Sequence, residues 1–247
     1  MAWVNKPSIF VGDLFENKYG DVAEVLEYIN ARNIKVKFLG DHEGFACVAA
    51  NNLRSGAFKN YMRPSVQGVG FLGGATHDRD KFIRDIWRSC IVRCYSDKYQ
   101  KKQPTYEGCV VDPDWHNFQN FLIWFKSQRF YDKGYDLDKD ILGKTSKIYS
   151  KDTCCLVPTE INNFFIVNTN KKSDLPRYIT RSKSSYRVRV TVGGKRRCFG
   201  FYKSLPEAIK VADIGRKEAA NALISKWNGK VDESVISALS ACVDGLR

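Results

Sequence analysis

The sequence predicts an α+β protein of several domains, and three observations support that prediction. Short strands separated by turns follow one another through the first 75 residues. Apolar residues at helical spacing dominate the middle of the chain. A strictly alternating hairpin followed by a capped helix lies in the C-terminal part. With 247 residues, the chain is long enough for two or three small domains. We predict domains at residues 1–75, 78–166 and 172–247.

The first domain, residues 1–75, is predicted to be a small antiparallel β-barrel. Its strand candidates are short, regularly spaced and bounded by turn residues, as in small barrels. These candidates are residues 9–15, 22–28, 34–38, 45–48 and 66–71. Their length and rhythm resemble a Src-homology-like barrel. No catalytic pattern occurs here, so a docking or nucleic-acid-assisting module and a plain scaffold both remain open.

The second domain, residues 78–166, begins with helices and ends in a compact motif. Apolar residues from Phe82 to Cys94 recur on one helical face, and residues 115–125 form an aromatic-rich second stripe. Such stripes are typical of core helices. Residues 134–163 then predict a strand, a loop, a second strand and a helix, with carboxylates clustered at the end of the first strand. A carboxylate on the hairpin and an amide on the helix could share one divalent metal ion.

The third domain, residues 172–247, is predicted to be a three-stranded sheet followed by a helix. From Tyr186 to Val192 apolar and polar residues alternate strictly, which is the period of a strand. Gly193 and Gly194 predict a two-residue turn into a partner strand at 195–202. Residues 177–181 supply a third strand. Ser204 with Glu207 forms a capping box that starts the helix, and residues 231–246 predict a terminal amphipathic helix.

The basic charge of the chain is concentrated in one segment. Residues 171–203 contain eleven Lys or Arg and one acid, Asp174, a net of +10 out of the formal +13 of the chain. Such a concentration favours a polyanionic partner, with an anionic membrane surface or an acidic protein as alternatives. A two-stranded ribbon fits the DNA major groove, and arginine suits both phosphates and guanine edges. We therefore expect double-stranded DNA as the partner.

The sequence lacks the patterns of membrane-spanning, secreted and zinc-binding proteins. No stretch approaches the roughly 20 apolar residues of a membrane span, and the first residues lack the pattern of a secretory signal. We therefore expect no membrane partner and a cytoplasmic location. The eight cysteines include no CxxC pair, so we interpret them as small hydrophobic residues rather than as zinc ligands.

The C-terminal pattern resembles the plant ethylene-response-factor (APETALA) type of DNA-binding domain. The resemblance covers about residues 174–225 and depends on the order of three strands and a helix, on the arginines, and on the step Phe199-Gly200-Phe201 before the helix. It implies that the sheet contacts the major groove. The basic residues that we expect to bind DNA are Arg177, Arg181, Lys183, Arg187, Arg189, Lys195, Arg196 and Arg197.

Residues 80–165 resemble phage-encoded HNH-type endonuclease relatives, which often have an APETALA-type domain after the HNH-like region. The resemblance depends on the order of several segments. These are Trp87 with Arg93-Cys94-Tyr95, Trp115 with the following Asn-Phe pairs, Gly134 to Lys139, Tyr149-Ser150 and the closing asparagines. It implies an HNH-like region of two strands and a helix, and a location in the host cell cytoplasm.

The HNH resemblance also implies site residues. Asp138 matches the metal-binding carboxylate, and Asn162, or its neighbour Asn163, matches the ligand on the helix for Mg²⁺ or Mn²⁺. Lys139 occupies the position of the general-base histidine. An ordinary lysine is protonated at pH 7 and cannot accept a proton, although it could neutralise phosphate charge in the transition state. Asp140 and Asp136 are the nearest alternative bases.

Three functions follow from these patterns. The first is metal-dependent cleavage or nicking of double-stranded DNA, guided by the basic sheet. The second is a catalytically inactive HNH-like protein that binds DNA as a regulator, blocker or counter-defence factor, and that acts through DNA or through a host protein. The third is RNA binding, which the many aromatic residues and the basic charge would suit. The oligomeric state is open.

Overall fold

The computed structural model describes residues 8–74, 80–143, 146–166 and 174–245. Helices and strands are both abundant in these ranges, which confirms the α+β class. The chain divides into two compact units, Met1–Gln103 with Val110–Ile123, and Pro104–Cys109 with Trp124–Arg247. The predicted breaks between residues 75 and 78 and between 166 and 172 fall on segments outside the described residues. In the described ranges no helix is both long and apolar enough to span a bilayer.

The first unit begins with a sheet and continues with helices. Its strands are β1 (Leu14–Glu16), β2 (Val22–Asn30), β3 (Asn33–Phe38), β4 (Gly44–Val48) and β5 (Val110–Val111). Its helices are α1 (Ala50–Ser55), α2 (Lys81–Tyr95), α3 (Asp97–Gln100) and α4 (Phe118–Ser127), of which α4 extends into the second unit.

The N-terminal strands form an open sheet, which corrects the predicted barrel. They are antiparallel in the order β1-β2-β3-β4, and in the described part of the chain no ladder joins β4 back to β1. The predicted strand at 66–71 forms only isolated bridges, Val66 with Gly70 and Phe71 with Asn117, so this segment does not close the sheet. One face is buried around Val36 and Phe38, where Leu53 of α1 and Phe58 complete the core.

The predicted core stripe of α2 is confirmed. Trp87 is 1% exposed, and its indole Nε1 donates a hydrogen bond to the backbone oxygen of Trp115 over 2.7 Å. Its ring also packs on Phe118 of α4, with centroids 5.3 Å apart. Nε2 of His116 lies 3.1 Å from the hydroxyl oxygen of Tyr95, within hydrogen-bond distance. Trp87 and Phe118 are therefore part of the core of this region.

The described part of the second unit contains six further strands and four further α-helices. Its strands are β6 (Asp136–Asp138), β7 (Ile148–Tyr149), β8 (Cys155–Val157), β9 (Ile179–Ser182), β10 (Ser185–Val192) and β11 (Lys195–Tyr202). Its helices are α5 (Asp140–Gly143), α6 (Thr159–Phe165), α7 (Leu205–Trp227) and α8 (Glu233–Val243). β6 and β8 are antiparallel, with Asp136 opposite Val157 and Asp138 opposite Cys155, and α6 follows directly. We call β6, β8 and α6 the ββα region.

The ββα region and the C-terminal sheet share one hydrophobic core. Ile161 and Phe164 of α6 belong to the same buried cluster as Val188 of β10 and Leu239 of α8. Polar contacts also join the two parts, since Glu160 accepts hydrogen bonds from Lys226 Nζ (2.5 Å) and Trp227 Nε1 (3.2 Å). Within this unit the ββα region and the C-terminal sheet and helices are therefore packed together.

The C-terminal sheet has the order β11-β10-β9 and packs against α7. Gly193 and Gly194 have φ values of 57° and 77°, as the predicted turn requires. Ser204 Oγ accepts a hydrogen bond from the backbone N–H of Glu207 at the start of α7. A Cβ atom on Gly215 would lie 2.7 Å from Val190 Cγ2, so glycine at this position permits close packing of the helix on the sheet.

Candidate nucleic-acid interface

The C-terminal sheet places its side chains on two faces, because successive residues of a strand point to opposite sides. On β10, Val188 and Val190 are 0% and 1% exposed and face α7, so Arg187 and Arg189 project from the opposite face. Residues that are directly opposite in an antiparallel register share a face. The pairings define an outer face of the sheet. Its members include Thr180, Arg187, Arg189, Thr191, Arg196, Cys198 and Phe201.

Three guanidinium groups of the outer face form a cluster of like charge. Partial burial and the positive charges of Arg187 and Arg196 lower the pKa of Arg189, although an arginine remains protonated in proteins. No carboxylate of the described residues lies within ion-pair distance of any of the three. The Nε atoms of Arg187 and Arg189 are shielded and have no hydrogen-bond partner within the described chain. This arrangement suits an external anion.

Three other predicted DNA-binding residues lie on the opposite side of the sheet. Arg197 is paired with Val190 in the register and forms an ion pair with Glu218 of α7. Arg181 is opposite Tyr186, with its Cζ 5.6 Å from that ring. Lys195 is opposite Val192, beside the turn. The strict alternation of β10 predicted the orientation of its own arginines but not that of basic residues on the neighbouring strands.

Two further predicted residues lie outside the strands. The guanidinium of Arg177 donates to the backbone oxygens of Phe164 (2.7 Å) and Asn163 (2.8 Å), and these bonds satisfy carbonyls at the end of α6. Arg177 is therefore engaged within the protein. Lys183 lies in the turn between β9 and β10 with a φ of 50°, and its side chain is exposed.

The outer face also includes an aromatic residue that the sequence analysis did not assign to the site. Phe201 is 58% exposed and lies opposite Arg187, whose Cζ is 5.9 Å from the ring centroid. Simple alternation along β11 gives no reason to place it there. The sequence feature that could have predicted this orientation is Gly200, since a glycine inside a strand often indicates a bulge.

In the ββα region, the predicted metal carboxylate has a structural role. Asp138 Oδ1 accepts hydrogen bonds of 2.7 Å from the backbone N–H groups of Asp140 and Ile141, and so caps the start of α5. Burial raises the pKa of Asp138, and the two backbone hydrogen bonds offset this shift only in part. One of its two oxygens is thus already occupied by the chain.

Lys139 is paired and positively charged. Its Nζ lies 2.5 Å from Asp140 Oδ1 and 3.2 Å from the backbone oxygen of Ser146, and the residue is 8% exposed. Burial by itself lowers the pKa of Lys139, but the hydrogen bond to Asp140 and the negative charge of that carboxylate raise it above the ordinary value. A lysine with a raised pKa is a poor general base at neutral pH.

The predicted helix ligand lies beside a different carboxylate. Asn162 Nδ2 donates to Asp136 Oδ2 over 3.2 Å, and Asp136 precedes Asp138 by two residues on β6, about 7 Å along the strand. Asn163 is exposed, and its backbone oxygen is held by Arg177. Among the described residues, no group of three or more His, Cys, Asp or Glu side chains could hold a metal ion.

Comparisons of the chain with protein-family models, with curated proteins and with solved structures found no match.

Proposed function

We propose that this protein binds double-stranded DNA through the outer face of the C-terminal sheet. The observation that supports this function most directly is the cluster of Arg187, Arg189 and Arg196, which has no carboxylate partner in the described chain. Like charges on neighbouring strands are unfavourable, and an approaching polyanion converts that repulsion into attraction. These arginines belong to the segment 171–203, whose sequence has a net charge of +10.

The dimensions of the hairpin β10–β11 suit the major groove. The groove is about 12 Å wide and admits a two-stranded ribbon, whose strands lie about 4.8 Å apart. Arginine can form paired hydrogen bonds with the O6 and N7 atoms of guanine or with phosphate oxygens. We assign Arg187 and Arg189, in the middle of the sheet, to base edges. Arg196, near the turn, and Lys183, in the other turn, are assigned to phosphates.

We further propose that the ββα region is an HNH-like scaffold without nuclease activity. Lys139 occupies the place of the general base and is held protonated by Asp140, while Asp138 caps a helix. Loss of a general base costs about 10²–10⁴-fold in rate. Buried residues of α6 pack in the same core as the C-terminal sheet. The ββα region would therefore stabilise the fold even without catalysis. The protein would then regulate or block transactions on the DNA that it occupies.

Metal-dependent cleavage is the second candidate function. The order of strand, strand and helix, and the proximity of Asn162 to Asp136, favour it. In that case Asp136 and Asn162 would hold Mg²⁺ or Mn²⁺, which would supply a Lewis acid and an activated water. Lys139 would then neutralise charge on the phosphate.

Supercoiled plasmid distinguishes these two candidates. Incubated with the purified protein and Mg²⁺ or Mn²⁺, the plasmid is expected to remain supercoiled after protein removal, because Lys139, in the place of the general base, is paired with Asp140 and has a raised pKa. The Asp136→Ala and Asp138→Ala variants and an EDTA sample serve as controls. Nicking that requires the metal and disappears in either variant would instead establish an endonuclease.

Salt dependence tests DNA binding itself. Titration of a fluorescent duplex at several salt concentrations should give a log–log slope of about −2 or steeper, since Arg196 and Lys183 are assigned to phosphates and each neutralised phosphate contributes about −0.9. The Arg196→Ala variant should reduce the magnitude of the slope by about 1. Lys210→Ala, an exposed residue of α7 on the other side of the sheet, should leave it unchanged. A flat salt response would contradict DNA binding and favour a protein partner.

A further inference from the structure

The orientation of Phe201 is determined by a bulge in β11. Opposite β10 the register shifts between Val188 and Arg189, so that Val188 pairs with Gly200 but Arg189 pairs with Cys198. Phe199 is therefore the additional residue, and it packs against the core beside Gly215. Without the shift, strict alternation would place Phe201 on the same side of β11 as Arg197, which is the side that faces α7. Because of the shift, Phe201 projects from the outer face.

The backbone conformation of Gly200 and a hydrogen bond from Tyr202 support the bulge. Gly200 has a φ of 121°, a backbone conformation that residues with a side chain rarely adopt. The hydroxyl of Tyr202 would lie 2.8 Å from a Cβ atom at that position, and it donates a hydrogen bond of 2.7 Å to the backbone oxygen of Phe199. Bulges commonly redirect a side chain at a functional site. Here the bulge places an apolar ring among arginines and threonines.

Phe201 and Arg187 form a pair suited to two neighbouring bases. They are directly opposite in the register, with the guanidinium 5.9 Å from the ring centroid. Neighbouring strands are about 4.8 Å apart and base pairs rise about 3.4 Å, so the two side chains reach the same or adjacent base pairs. Arginine recognises guanine in the major groove, where the C5 methyl group of thymine is the apolar feature.

We propose that Phe201 is a specificity-determining residue that packs against the C5 methyl group of a thymine adjacent to the guanine contacted by Arg187. This inference rests on the proposed DNA binding through the outer face. The DNA site should accordingly contain a thymine next to a guanine at the position that the β10–β11 hairpin contacts. The ring supplies shape and apolar area, and Arg187 supplies the hydrogen bonds.

Removal of single methyl groups from the DNA tests the proposal. A duplex site is first selected from a randomised library with the full chain, and each thymine of the selected site is then replaced in turn by deoxyuridine. For the wild-type protein, one replacement next to a guanine should weaken binding about fourfold, the value for one methyl-sized group. For Phe201→Ala the same replacement should have no effect, because the partner of the methyl group is already absent. Phe201→Leu should retain part of the effect.

The controls separate this proposal from the proposed function. Phe45→Ala removes a phenylalanine of the N-terminal sheet that is 69% exposed, and it should respond to deoxyuridine as the wild type does. Failure of the selection to yield any duplex site would overturn DNA binding, and the inference with it. A selected site at which the wild type and Phe201→Ala respond equally to every deoxyuridine would overturn the methyl contact while DNA binding stands. Preference for single strands through stacking on Phe201 would also overturn it.

Discussion

Replacement of both Arg187 and Arg189 by alanine should weaken binding to a specific duplex at least about thirtyfold. Each paired contact of an arginine with a base contributes about 1–3 kcal/mol, and about 1.4 kcal/mol corresponds to a factor of ten. The fold should persist, since neither residue has an ion pair in the described chain and the adjacent valines form the core. Fluorescence anisotropy at fixed salt measures the affinity, and far-UV circular dichroism monitors the fold.

A charge-matched variant shows whether position or charge alone matters. Arg181→Ala with Lys210→Ala also removes two positive charges, but Arg181 is on the α7 side of the sheet by its register with Tyr186, and Lys210 is on α7. This variant should lose only a small part of the affinity. Equal losses in the two double variants would mean that DNA responds to the overall charge of the domain, and the outer face would lose its assigned role.

Replacement of Phe164 by alanine should destabilise the second unit by about 3–5 kcal/mol, the usual cost of removing a buried phenylalanine. Phe164 is 7% exposed and lies in the core that α6 shares with β10 and α8, and Arg216 of α7 contacts its ring at 5.7 Å. The free energy of unfolding can be measured by urea titration. DNA binding followed in the same titration should disappear at the same lowered midpoint.

The neighbouring Ile166 provides the control for this prediction. It is 48% exposed at the end of α6, so Ile166→Ala should change the stability by no more than about 0.5 kcal/mol. If Phe164→Ala instead lowers the stability of the ββα region while DNA binding keeps its original midpoint, the two parts would fold independently, and the shared core would have little energetic weight.

Local patterns predicted the C-terminal region well. The alternation from Tyr186 to Val192, the glycine pair after it and the Ser204 cap each depend on neighbouring residues alone, and each is confirmed. The orientation of Arg197 depends on its pairing with Val190 across strands, and that of Phe201 on a bulge. Neither follows from the order of residues along one strand, because register is a property of two strands together.

The N-terminal prediction failed for a related reason. The strands β2, β3 and β4 were each indicated by their own residues, but closure of a barrel requires a pairing between distant segments. Residues 66–71 contain two glycines, Gly68 and Gly70, and form bridges only. In the ββα region, the partners of Lys139 and Asp138 are set by the local turn into α5. The sequence supplied these residues but not the hydrogen bonds that occupy them.

In the described part of the chain, β11 and β9 are the edge strands of the C-terminal sheet, and each is paired with β10 on one side only. Edge strands with unpaired backbone groups promote aggregation, and proteins protect them with charged residues, especially lysine, and with β-bulges. Along β11 the residues Lys195, Arg196 and Arg197 and the bulge at Phe199 supply both protections. Arg196, which is proposed to contact phosphate, would thus also help to keep separate copies of the sheet from joining edge to edge. Variants that neutralise Arg196 to weaken DNA binding therefore carry a second consequence, a loss of colloidal stability at high protein concentration.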